Sequence, residues 1–267
     1  MMKKISTLLL LFILASLISI GQNTETKNQV DANGLKQGYW GKHYSNGNLQ
    51  YSGNFKNNQP IGEFKRYDQE GVLKVEMIYK ENSHKVYTKF YYPGKMIQAE
   101  GYYIQKLKDS VWNYYSSEGH KINEVPFIND QKHGTEKKLY KNGAISEKLE
   151  WQNDIKDGLT IRYYDNGKVM MRIFYMNGLL DGEYNVYGID ENILIQGQYE
   201  NNKREGKWTY YKENGHIRDE LNYINGIAEN QDELERLENE QIEMLEKNKG
   251  KFKDPSESMY NEIPPGN

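Results

Sequence analysis

Between residues 34 and 227 the chain alternates. Short runs with an aromatic or aliphatic residue at every second position are separated by clusters of Asn, Asp and Gly. Leu73, Val75, Met77 and Tyr79 make one run, and Val169, Met171, Ile173 and Tyr175 another. The positions between are more polar, as at Lys74 and Glu76, or Arg218 and Glu220. A period of two predicts half-buried β-strands. The punctuation predicts tight turns. Asn46-Gly47, Asn142-Gly143, Asn166-Gly167 and Asn214-Gly215 supply the positive φ that short hairpin loops require.

The whole pattern recurs. Counting each unit from nine residues before its turn glycine puts the starts at Gly38, Gly62, Lys85, Ser110, Gly134, Gly158, Gly182 and Gly206. The spacings are 24, 23, 25, 24, 24, 24 and 24, and only unit seven lacks the glycine. Seventeen residues after the starts lie Phe55, Tyr79, Tyr102, Phe127, Trp151, Tyr175, Tyr199 and Tyr223. Five after lie His43, Tyr67, Phe90, Tyr115, Leu139, Tyr163, Tyr187 and Tyr211. A second turn carries Asn57, Asn129, Asn153, Asn177, Asn201 and Asn225. A further column two after the start holds Trp40, Phe64, Tyr87, Trp112, Tyr184 and Trp208. Positions two and five have opposite parity in a flat strand. Either both sheet faces carry aromatics or a bulge shifts the register.

Each unit therefore reads as strand, turn, strand, turn. A lone hairpin is marginal, so each must lean on its neighbours. The expected fold is all-β: an elongated single-layer antiparallel sheet of about eight stacked β-hairpin repeats over 34–227, with a C-terminal α-helix. Sixteen strands spaced about 4.8 Å apart span roughly 75 Å. A closed barrel is the alternative.

The ends differ from the middle. Lys3 and Lys4 precede an apolar run from Ile5 to Ile20, and Ser19 and Gly21 fit a cleavage site before Gln22. Residues 1–21 read as a signal peptide, with an uncleaved anchor helix as the alternative, and 22–33 as a flexible lead-in. From Ala228 the repeat stops. Asn230 and Glu233 resemble a capping box, and Leu234, Leu237, Ile242 and Leu245 form a helical stripe that Gly250 can end. Residues 228–250 are expected to cap the open sheet or to dock a partner, and 251–267 to form a disordered tail.

Composition changes this picture in three ways. The 23 Tyr, 7 Phe and 4 Trp give a surface half buried by rings with polar tips rather than a thick dry core. The absence of cysteine removes disulfides, thiolate catalysis and a lipid-bearing cysteine. The net charge of −3 hides an acidic end: residues 228–267 hold 11 acids and 5 bases, while 34–227 hold 25 acids and 27 bases. A nearly neutral body gives no footprint for nucleic acid.

The string "GKWTYYKENGHIRDELNYING", Gly206–Gly226, resembles the MORN repeat variant in the form found in bacterial YwqK-like proteins. The resemblance covers about 34–227. It implies stacked hairpins in a non-catalytic interaction scaffold, and in some family members an antitoxin role.

Candidate chemistry is sparse. His43, His84, His120, His133 and His216 show no metal-ligand spacing, no G-x-S-x-G elbow or P-loop occurs, and Asp157, Asp165, Asp181 and Asp190 fall in turn columns. No catalytic residue, cofactor or metal is expected. The aromatic columns suit cross-strand packing. Their second reading is a surface for a peptide or for sugar rings, carried by Trp40, Tyr67, Trp112, Trp151, Tyr163, Trp208 and Tyr211. The expected function is an exported, periplasmic or extracellular, non-enzymatic scaffold binding a protein at the cell envelope. Glycan binding and toxin neutralisation are the alternatives.

Overall fold

A computed structural model describes residues 27–229 and 231–247. The expected signal peptide, the N-cap Asn230 and the expected tail lie outside the described residues. Eight hairpins follow one another: Lys36–His43 with Leu49–Lys56, Gln59–Tyr67 with Leu73–Tyr79, Lys85–Tyr91 with Ile97–Ile104, and Leu107–Tyr115 with Lys121–Ile128. Then come Gly134–Leu139 with Ile145–Gln152, Gly158–Tyr163 with Val169–Met176, Leu179–Tyr187 with Ile193–Glu200, and Lys203–Tyr211 with Ile217–Ile224. Four two-residue strands complete a 20-stranded sheet, in which each strand pairs antiparallel with its chain neighbours. The sheet is open, so the stacked-hairpin expectation holds and the barrel does not.

The turns follow their chemistry. At the second turn both central residues have positive φ: Asn129 at 51° and Asp130 at 67°, Asn153 at 51° and Asp154 at 66°. This is the primed turn whose twist matches the flanking strands, and Asn and Asp tolerate it. At the first turn one residue is left-handed. It is Gly119 (86°), Gly143 (84°) or Gly167 (84°), but in unit seven it is Glu191 (70°).

Unit three departs from the sequence reading. Gly94 and Lys95 both have positive φ, and Lys95 occupies the place that Gly119 holds in the next unit. Unit three thus begins at Val86 rather than Lys85, and every spacing becomes 24 residues. Its column members become Thr88, Tyr91 and Tyr103 in place of Tyr87, Phe90 and Tyr102. Packing agrees: Tyr103 meets Trp112 with ring centroids 4.9 Å apart, while Tyr102 is exposed.

Register resolves the parity question. Arg66 pairs with Val75 but the next residue, Tyr67, pairs with Leu73, leaving Lys74 as an extra residue. The same shift recurs in every unit. Paired residues share a face and chain neighbours alternate, so the column at two and the column at five lie on opposite faces. Both faces carry aromatics, and a bulge is present too. It also turns Leu73 and Val169 away from the face of Val75 and Met171.

Two sets of bonds stitch hairpins together beyond the ladder. Along one edge Tyr44, Tyr92, Tyr140 and Tyr164 donate their hydroxyls to the carbonyls of Tyr67, Tyr115, Tyr163 and Tyr187 in the next unit. Along the other, Asp154 donates its N–H to the Lys132 carbonyl at 3.0 Å, and its carboxylate accepts the Lys132 N–H at 2.8 Å. Asn58 and Asn202 repeat this clip with Lys36 and Leu180.

The ends are closed differently. Gln29 and Val30 pair with Gln37 and Lys36, and the Asn28 side chain bonds both the N–H and the carbonyl of Gly41. Part of the expected flexible lead-in is thus edge structure. At the far end Ile227–Ala228 pairs with Ile224 and Tyr223. The helix Gln231–Lys247 then sends Leu237, 3% exposed, into a cluster of Trp208, Tyr210, Leu221, Tyr223 and Ala228. Ile242, expected on the same stripe, is exposed.

Candidate functional site

The sheet has two faces of different chemistry. We call the face bearing Trp112 the ring face and the other the outer face.

On the ring face, the residue two after each start packs on the preceding unit. Phe64 covers Gly53, Trp112 covers Gly101 and Trp208 covers Gly197. A Cβ on Gly101 would lie 2.4 Å from the Trp112 ring, so only glycine admits the flat indole. Where the covering residue is Thr88 or Thr160, the position beneath is filled instead, by Met77 or Leu149. The covering indoles donate to backbone carbonyls: Trp112 to Tyr102 and Trp208 to Gln198, both at 3.1 Å. Both are sealed, at 0% and 1% exposure.

Cations lie over these rings. Lys36 sits 4.6 Å from the Trp40 centroid, Lys108 5.1 Å from Trp112, Lys132 4.4 Å from Trp151, Lys156 5.1 Å from Tyr175 and Arg204 4.7 Å from Trp208. All five stand two residues before a unit start. Burial lowers the Lys108 ammonium below the usual lysine range. The buried carboxylates of this face are paired. Glu136 bonds Lys132, and Glu147 bonds both Lys138 and Arg162 at 2.8 Å. Burial would raise the Glu147 carboxyl, but its hydrogen bonds to Lys138 and Arg162 hold it below the ordinary glutamate value.

The structure divides the seven sequence candidates. Trp40, Trp112, Trp151 and Trp208 share the ring face; Tyr67, Tyr163 and Tyr211 share the outer face. Trp112 and Trp208 are closed to any partner as the sheet stands. Trp40 is half-buried and donates to the Gln29 carbonyl. Trp151 is half-buried with its indole N–H buried and without an acceptor among the described residues.

The outer face has two parts. Tyr87 and Tyr115 both donate to the Glu100 carboxylate, at 2.7 and 2.6 Å, and Tyr91 donates to Glu76 at 2.8 Å. Burial and these carboxylates raise all three phenols well above the ordinary tyrosine range. Beside this network, toward the Asn-turn edge, runs an apolar strip. Val111 and Ile128 are each 49% exposed, Ile155 47%, Phe174 40% and Met176 49%, with Leu179 beside them. Ile155 lies against the turn at Gly178, which places it beside Met176 and Leu179.

Sequence reasoning missed this strip. Its signal was the unusual aliphatics flanking the Asn turns, Ile128, Ile155, Met176 and Leu179, where a solvated turn needs none. Depressions are shallow. One of about 250 Å3 is lined by His133, Thr135, Glu150, Trp151 and Asp157. No group of three His, Asp or Glu is placed to hold a metal among the described residues.

The geometry defines a class: a single-layer hairpin-repeat sheet whose surfaces are shaped for contact rather than enclosure. Comparison agrees. The model of the MORN repeat variant family matches residues 60–81, 156–177 and 204–225, each match beginning two residues before a unit start. No curated protein sequence matches the chain. Among solved structures, a chain of the Photorhabdus luminescens Tc holotoxin pore aligns at 11% identity and TM-score 0.21. The alignment covers 74% of this chain and 13% of that one.

Proposed function

We propose that this protein is an exported, non-enzymatic repeat scaffold that binds another protein at the bacterial envelope. The observation that carries the binding surface is the outer-face strip of Val111, Ile128, Ile155, Phe174, Met176 and Leu179. Exposed apolar side chains gathered on one face mark contact surfaces, because leaving them in water forgoes about 25 cal/mol per Å2. MORN repeats, matched at three positions, occur in scaffolds of this kind. Export rests on the charged and apolar leader in residues 1–21.

Sugar-ring stacking draws less support. It needs open ring faces, whereas the ring-face aromatics are covered by cations or by other rings at 4.9 to 6.2 Å.

The test has two arms. Cell fractionation should find the chain outside the cytoplasm and shortened by about the leader. A partner crosslinked in envelopes should, once purified, bind the wild-type chain directly. Ile155→Glu with Met176→Glu should weaken that binding at least tenfold while leaving the circular dichroism unchanged. A cytoplasmic chain, or a partner indifferent to the double variant, overturns the corresponding half. Retention on insoluble cell wall with no protein partner favours the glycan reading.

A further inference from the structure

The near-neutral body conceals a polarity between its faces. On the ring-face strands the carboxylates Glu136, Glu147 and Asp219 are each already ion-paired. Lys36, Lys108, Lys156 and Arg204 have no carboxylate within 4.0 Å among the described residues; each is held over an aromatic ring. They recur at multiples of 24 residues, so adjacent steps along the sheet are about 9.6 Å apart, two strand spacings.

One acidic segment already rests on this face. The helix Gln231–Lys247, QDELERLENEQIEMLEK, carries seven acids and two bases. It is seated by Leu237 against Trp208, Tyr210, Leu221 and Tyr223, and Glu240 lies 3.7 Å from Arg218. An acidic helix with one aliphatic anchor is therefore compatible with the ring face at its last unit. Seven residues of α-helix rise about 10.5 Å, close to one step of the cation row. A helix lying along the sheet would thus present an acid to each successive step.

We propose that the ring face of units four to six is a docking track for an acidic amphipathic helix of a partner protein, and that the chain's own helix holds the equivalent position at unit eight. The track is separate from the outer-face strip, so either can fail without the other.

The test uses the full chain and a synthetic peptide of residues 231–247 as probe. The peptide should bind, and more weakly as salt rises. Lys108→Ala with Lys156→Ala should weaken binding at least tenfold. Lys108→Arg with Lys156→Arg should preserve it, which separates lost charge from lost folding. Ile155→Glu on the outer face should leave it unchanged. Absence of binding overturns the proposal, as does indifference to the lysine pair. Equal binding of a scrambled peptide of the same composition also overturns it, since that marks a general polyanion surface.

Discussion

Glycine and its covering ring behave as one structural unit. Phe64 on Gly53, Trp112 on Gly101 and Trp208 on Gly197 repeat one solution, and Thr160 over Leu149 repeats its complement. Gly101→Ala should destabilise the protein by about 1–3 kcal/mol, because the backbone beneath the indole cannot retreat. Gly101→Leu with Trp112→Thr should recover part of the loss seen with Gly101→Leu alone. Urea titrations of the three variants measure the coupling. Glu147 gives a pH prediction. Its carboxyl is held below the ordinary value of 4.5 in the folded chain, so the unfolded chain takes up the proton first. The stabilisation is present above about pH 4.5 and declines as pH falls through the folded value. Glu147→Gln should lower the urea midpoint at pH 7 and flatten this acid dependence.

Hairpins are held to one another by clips that the sequence displays only as turn preferences. Asp154→Ala removes the acceptor for the Lys132 N–H and should cost about 0.5–1.5 kcal/mol. Faster hydrogen exchange at the Lys132 amide, with little change three units away, is the expected readout. The repeat was legible because turn geometry and strand alternation impose residue types at fixed intervals. It misled at unit three, where Gly94-Lys95 offers two adjacent places for the left-handed residue and the glycine is the wrong guide. The extra residue at Lys74 was illegible because a bulge is set by pairing, which one strand cannot reveal. Trp residues suggested a binding surface, yet Trp112 and Trp208 are sealed because glycine in the neighbouring unit makes room for them. The exposed strip was harder to see, since Ile128 and Ile155 read as ordinary strand ends until the face they share is known.

At the scale of the whole molecule, contacts run between neighbours along the chain. Removing residues 134–157, one repeat, joins positions that are equivalent in the lattice of units. The shortened protein should fold, with a denaturant m-value lower by about one eighth. Circular dichroism and a urea titration of that variant test it; a chain that fails to fold would show that the Glu136 and Glu147 ion pairs are not interchangeable with their neighbours.

Asn28 has a consequence beyond its own strand. Open-ended fibre growth by edge pairing requires every molecule to offer two receptive borders, one to accept and one to donate. With the amide and carbonyl of Gly41 already engaged by Asn28, one border is occupied. A collision at the remaining border can join two molecules but cannot propagate, so a sheet with twenty strands in a row stays a particle of fixed length instead of seeding a filament.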